Sequence, residues 1–162
     1  MSTELLLERI VPLSPEALWR GWTEPALLQR WFCPKPWQVV EAEIDLRPGG
    51  GFRTVLQGPD GTRMTHVGCY LEVQAPTRLV WTTALGPGFA PAPEHPHVPA
   101  FTCVLTLEAV EGGTRYSARA LHRDAASAQR HGEIGFHEGW GAALTQLVHE
   151  LQQGLKGHLA ES

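Results

Sequence analysis

Between Trp37 and Leu121 the chain has no helix-length spacer between its strand-like stretches, and this constrains its topology more than any other feature. Trp37–Leu46, Phe52–Leu56, Met64–Val73, Arg78–Ala84, Ala100–Val110 and Thr114–Leu121 are apolar-rich segments of strand length. Parallel neighbours need a crossover of about a dozen residues or more, usually a helix. The connections here are Pro48-Gly49-Gly50-Gly51, Pro59-Asp60-Gly61, Gln74-Ala75-Pro76 and Glu111-Gly112-Gly113, all built from turn-forming residues. The segment from Gly86 to Pro99 is longer, but its five prolines exclude a helix or a central strand. It reads as a long loop, a place where lids and binding elements are often found. With Thr3–Val11 as a first strand, the expectation is a sheet of six or seven strands, antiparallel throughout. Within Trp37–Leu46, Val40, Ala42, Ile44 and Leu46 alternate with Glu41, Glu43 and Asp45, which predicts one buried and one solvated face.

Helical signals flank this sheet. Ser14 is placed to cap a helix that begins at Pro15 and runs through Trp19 to Trp22. Pro25 restarts the chain, and Leu27, Leu28 and Trp31 predict a second short helix ended by Pro34 and Pro36. Asp124 caps a last helix predicted from Ala125 to about Leu155. On it Phe136, Trp140, Leu144, Leu147 and Leu151 recur every three or four residues, forming one apolar stripe for the sheet. Gly132, Gly135, Gly139 and Gly141 interrupt that helix, each at about 1 kcal/mol relative to alanine. Close approach to the sheet or a ligand, deformability at a cavity mouth, and simple room beneath bulky aromatics all compensate such a cost.

Composition removes several function classes. The net charge is -4 and the arginines are scattered singly, so no basic stripe exists for nucleic acid. No apolar run approaches the roughly 20 residues of a spanning helix, and MSTELLLERIV lacks the basic start and long apolar core of a signal peptide. A cytoplasmic protein without membrane insertion is expected, as one domain over residues 1–162. Cys33, Cys69 and Cys103 are odd in number and widely spaced, which fits reduced thiols.

Motifs along nearly the whole chain carry a family likeness. They are Trp19, Trp22-Thr23-Glu24-Pro25, Leu28, Trp31-Phe32, Asp45-Leu46-Arg47-Pro48-Gly49-Gly50 and Pro59-Asp60-Gly61. Gly68, Tyr70, Glu72, Pro76, Arg78-Leu79-Val80, Thr82, Gly113-Thr114 and Gly135-Phe136-His137-Glu138-Gly139-Trp140 follow. In order and spacing they resemble the activator of heat-shock protein 90 ATPase homologue branch of the START-related (SRPBCC) superfamily. The resemblance implies an α+β helix-grip fold of the START/Bet v 1 type. In it a curved antiparallel sheet wraps a long C-terminal helix, two short helices follow strand 1, and a mostly apolar cavity lies between sheet and helix. This chain departs from the family at the proline-rich insert 86–99 and at Phe136, where methionine is common. Family members include ligand carriers, cyclase- and dehydratase-like proteins, and co-chaperones that add a separate N-terminal domain. A chain of 162 residues leaves no room for that domain, so a full co-chaperone role is not expected.

Strand alternation and the helix stripe nominate Tyr70, Trp81, Phe101, Cys103, Tyr116, Phe136, Trp140 and Leu144 as cavity-lining, ligand-binding residues, with Tyr70, Thr102 or Tyr116 as polar groups. An ordinary core uses the same residue types, so the sequence leaves a filled and a hollow interior both open. Catalytic signatures are missing. There is no Gly-x-Ser-x-Gly elbow, and Arg47–Gly51 lacks the lysine and hydroxyl of a phosphate loop. His95 and His97 have the spacing of adjacent ligands, and His66, Cys69 and Cys103 lie on strands, but no C-x-x-C or H-E-x-x-H pattern supports a metal. Glu41, Glu43, Asp45, Arg53 and Glu72 are expected on the solvated face, and His137 about 100° from the stripe, at the cavity edge. The expectation is a carrier of a hydrophobic or amphipathic small molecule, monomer or homodimer, without cofactor, metal or catalytic residue. The alternatives are a chaperone-linked or other protein-partner module, contacting through the sheet or the 86–99 loop, and a cyclase- or hydrolase-like enzyme.

Overall fold

The turn sequences act as the connections they encode. The computed structural model describes residues 2–161, with side chains as far as residue 154. In chain order the strands are β1 (Glu4–Val11), β2 (Gln38–Ile44), β3 (Gly51–Gln57), β4 (Arg63–Gln74) and β5 (Arg78–Thr82), then β6 (Leu85–Gly86), β7 (Ala90–Pro91), β8 (Thr102–Val110) and β9 (Gly113–Leu121). Seven of them form one sheet in the order β1-β9-β8-β5-β4-β3-β2, every pair antiparallel. The helices are α1 (Pro15–Thr23), α2 (Pro25–Leu28), α3 (Ala125–Glu133) and α4 (Phe136–Glu161). This is the α+β helix-grip arrangement, a broad sheet closed by one long C-terminal helix.

The N-terminal caps work as expected. Ser14 Oγ accepts the Ala17 N–H at 3.2 Å, with Pro15 in the first turn, where no donor is lost. Helix α2 is shorter than the spacing of Leu27, Leu28 and Trp31 suggested. Its last turn loosens after Leu28, and Trp31 is held instead by its indole N–H, which donates to the Gly21 carbonyl at 2.9 Å.

Strand β2 corrects the expected face. A bulge between Val39 and Glu41 shifts the alternation by one, so Val39, not Val40, is buried beside Ala42 and Ile44. Leu46 lies past the strand end and is 37% exposed. Glu41 and Glu43 face outward, flanking Arg53 at 3.7 Å each.

The expected single helix from Ala125 to Leu155 is two helices. Asp124 caps α3 by accepting the Ser127 N–H at 2.7 Å. The chain then breaks at Gly135, whose φ of +105° lies where L side chains are strained, and restarts as α4. The stripe of α4 enters the core as read: Phe136, Leu144 and Leu147 are buried, with Trp140 and Leu151 packed at its margin. From the sheet they meet Leu79, Trp81, Cys103, Leu105, Tyr116 and Ala118.

The insert is more ordered than a loop. β6 and β7 pair as a small hairpin around a 3-10 turn, Pro87–Phe89. That turn docks on the triple glycine: the Gly88 N–H donates to the Gly49 carbonyl at 2.7 Å. No helix among the described residues is long and apolar enough to cross a membrane.

Candidate ligand cavity

A hollow of about 390 Å³ opens where the sheet's inner face meets the break between α3 and α4. The opposed pairs Phe52/Gly68, Thr54/His66 and Leu56/Met64 of β3 and β4 all line it. Trp81 of β5, Phe101 before β8 and Tyr116 of β9 carry the wall across the sheet, and Phe136 and Trp140 face them from α4. Trp22, Trp31 and Phe32 complete the lining from the N-terminal helices, and Val98 reaches it from the insert. Among the described residues, no lysine, arginine, aspartate or glutamate lies on this surface. Val67 and Ile134, also on the lining, are 39% and 52% exposed and mark the way out to solvent.

The rings hold one another edge to face. Centroids lie 5.0 Å apart for Phe52–Trp81, 5.4 Å for Trp81–Phe101 and 4.6 Å for the tilted Phe136–Trp140 pair. Such contacts fix rotamers and give the wall a definite shape. Polar atoms on it are few. Tyr116 Oη accepts the Trp22 indole N–H at 3.1 Å, and burial raises its pKa above the usual phenol range. The Trp81 indole N–H is buried without a partner.

Two histidines on the lining are neutral at pH 7. Burial, then the neighbouring His95, pushes His66 down to about 4, and the two rings stack 4.6 Å apart. Burial, then His122, likewise pushes His131 down to about 4. Cys33, at the edge of the lining, is pushed up to about 11 by burial, so it remains a thiol and a poor nucleophile.

The family model described as "Activator of Hsp90 ATPase homolog 1-like protein" matches residues 12–152. The chain belongs to this family. The structure of a protein from Nitrosomonas europaea superposes on this chain with a TM-score of 0.87 at 44% sequence identity, covering 96% of this chain and 97% of that one. A protein from Rhodobacter sphaeroides superposes with a TM-score of 0.80 at 24% identity, covering 93% of each chain. An AHSA1 protein from Silicibacter pomeroyi gives 0.69 at 23% identity, covering 93% of this chain and 99% of that one. These last two speak for the fold alone. No curated protein matches the chain.

Within this member of the Hsp90-activator-homologue family, the eight residues nominated from sequence divide. Trp81, Phe101, Tyr116, Phe136 and Trp140 lie together on the cavity surface. Tyr70, Cys103 and Leu144 are buried in the core away from it. Phe52 stacks over Tyr70 at 5.3 Å and takes its place on the wall, leaving the Tyr70 hydroxyl buried and unpartnered. Cys103 stands opposite Trp81 in register, and its short side chain is fully enclosed. Leu144 lies one turn beyond Trp140, where α1 meets α4 and the space is filled. Thr102 borders a separate cleft and hydrogen-bonds Thr82 at 2.9 Å.

The acid–base candidates lie off this surface. Asp45 pairs with Arg47 at 2.9 Å, Glu72 with Arg78, and His137 is exposed rather than at the cavity edge. His95 Nδ1 accepts the His97 N–H at 3.0 Å, and among the described residues no three His, Cys, Asp or Glu side chains converge.

Sequence reasoning passed over the β3–β4 row and His131. The row was visible: Phe52, Thr54 and Leu56 share parity, as do Met64, His66, Gly68 and Tyr70. His131 carried no such signal, because its position depends on the helix break.

Proposed function

We propose that the chain carries an apolar or amphipathic small molecule in this cavity. The observation behind the reading is the pairing of ligand-sized volume, about 390 Å³, with an aromatic lining free of ionised side chains among the described residues. Ligand pockets commonly run from about 300 to 1,000 Å³, mainly apolar with a few placed polar groups. Trp81, Phe101, Tyr116, Phe136 and Trp140 are the proposed contacts. Three free, buried cysteines fit a reducing cytoplasmic setting.

Native mass spectrometry of freshly purified protein tests the proposal, with denaturing release of whatever is retained. A discrete adduct of small-molecule mass is the expected result. Trp140→Ala is expected to weaken retention about tenfold, since an aromatic anchor contributes roughly 1–2 kcal/mol of burial and ring contact. A bare chain mass, together with no uptake of added apolar compounds, overturns the reading.

A second reading, a chaperone-linked module, draws on the family description and on Leu6 and Ile10 of β1, exposed at 47% and 56%. Pull-down with heat-shock protein 90 separates the two: association lost on Leu6→Asp and Ile10→Asp favours the partner module.

A further inference from the structure

Two buried histidines pair beside the helix break, and one of them, His131, is on the cavity wall. His122, just after β9, and His131 on α3 are 8% and 4% exposed. His122 Nε2 lies 2.8 Å from His131 Nδ1, and His122 Nδ1 lies 2.9 Å from the Thr3 carbonyl oxygen. A carbonyl only accepts, so with a single proton on its ring His122 carries it on Nδ1 and presents a bare Nε2. His131 then donates from Nδ1, which leaves its own Nε2 as an acceptor. One backbone carbonyl thus sets the tautomer of both rings. Among the described residues the His131 ring makes its hydrogen bond through Nδ1 alone. His131 is on the cavity lining, and its low pKa keeps the ring neutral.

The rings around His131 are apolar in what they offer. Trp81 is on the lining too, but its indole nitrogen is buried beneath that surface. Trp81 lies 5.4 Å from Phe101 and 6.5 Å from Trp140, and His131 lies 4.8 Å and 6.3 Å from them. An otherwise apolar wall therefore carries one unmet acceptor, His131 Nε2, within an aromatic cluster.

Buried polar atoms are nearly always partnered, and leaving one unmet costs about 1–3 kcal/mol. An ether or ketone leaves the histidine unmet, and a carboxylate or ammonium finds no counter-charge on this lining. A neutral hydroxyl donates without bringing a charge. We propose that the cavity selects apolar molecules bearing a neutral hydroxyl, phenol or alcohol, whose O–H donates to His131 Nε2. The proposal rests on the carrier reading and adds its polar specificity.

Calorimetric titration of the full chain with naphthalene, 2-naphthol and 2-methoxynaphthalene tests it. The two substituted rings share an apolar body, and only the naphthol can donate. The expected result is that naphthalene binds and 2-naphthol binds about tenfold more tightly than its methyl ether, the effect of one buried hydrogen bond. His131→Phe keeps an aromatic ring and is expected to bring that ratio to about one, whatever its effect on naphthalene. A merely structural histidine pair would move all three affinities together. An unchanged naphthol-to-ether ratio in a folded His131→Phe protein, or no preference in the unaltered chain, overturns the hydroxyl proposal alone. Failure of all three compounds to bind overturns the carrier reading beneath it. Should His131→Phe fail to fold, nitrogen-15 spectra of the unaltered chain decide. The His131 Nε2 resonance is expected to shift with 2-naphthol and not with 2-methoxynaphthalene, and equal or absent shifts overturn the proposal.

Discussion

Helix α4 meets the sheet in two ways. Around Leu144 and Leu147, both fully buried, α1 comes close enough that a methyl group at Gly21 would sit 2.5 Å from the Leu147 side chain. The indoles that reach from α1 and the turn after α2 onto the cavity lining are satisfied: Trp31 donates to the Gly21 carbonyl and Trp22 to Tyr116 Oη, at 2.9 and 3.1 Å. Two turns earlier, around Phe136 and Trp140, no helix fills the gap, and the Trp81 N–H and His131 Nε2 stand without partners. One stripe thus serves a solid end that holds the fold and a hollow end that leaves room for a ligand. Open space separates the two more sharply than hydrophobicity, since both ends are built of aromatics and leucines.

The largest expected contrast comes from truncating the solid end. Leu147→Ala removes a buried side chain where α1 and α4 are in contact, at a cost of about 2–5 kcal/mol. Urea unfolding measures the loss, and affinity for naphthalene is expected to change less than threefold. A large affinity loss with stability intact would erase the division between the ends.

Acid should act on the hollow end. His131 and His66 are neutral in the folded protein with pKa values near 4, against 6.5 for a free histidine. The unfolded chain therefore binds more protons between pH 6.5 and 4, and stability falls as pH falls through that window. The buried His131 alone gives a slope of about 1.4 kcal/mol per pH unit, and the half-buried His66 adds a smaller share. Comparing unfolding free energies at pH 7, 6 and 5 with those of His131→Phe isolates the term. Equal slopes in the two proteins would mean that His131 is charged or freely solvated.

Gly135→Ala sits between the ends in expected size, about 1–3 kcal/mol, because alanine at φ +105° is strained wherever its side chain points. Thermal melts report the cost. A distinctive result is a loss of naphthalene binding beyond that of Leu147→Ala, since the break sets His131 and Phe136 against each other at 5.2 Å.

That break also marks the limit of what was readable. The antiparallel order, the caps at Ser14 and Asp124 and the stripe from Phe136 to Leu151 follow from turn chemistry and periodicity, which are local. The bulge at Val40 reverses a strand face through one added residue, and a regular alternation gives no warning of it. In a continuous helix His131 would stand about 140° around from Phe136, away from the stripe. Only the turn at Gly135 folds it back onto the ring. The glycines on either side had several explanations in sequence, and positive φ at one of them is a tertiary outcome. Tyr70 and Cys103 point inward as alternation requires, yet their neighbours Phe52 and Trp81 occupy the surface ahead of them. Direction of pointing is legible from period two; depth beneath a neighbour is not.

The smallest effect is expected in the insert, and it depends on where the cut falls. Pro87 and Phe89 lie over the triple glycine, where a methyl group would come 2.8 Å from Pro87 at Gly51 and 2.8 Å from the Phe89 ring at Gly49. That half is structural, and its removal exposes the β3 turn. The second half is exposed except at Ala92, at His95 where it stacks on His66, at Val98 where it meets the cavity, and at Pro99, which is buried. Replacing Pro93–His97 by two glycines is therefore expected to shift stability by no more than about 0.5 kcal/mol, the range of surface changes. It uncovers His66, so the exchange rate of bound naphthalene should rise while Tm holds. A marked fall in Tm would tie the whole insert to the solid end; an unchanged exchange rate would place the way into the cavity elsewhere, past Val67 and Ile134 alone.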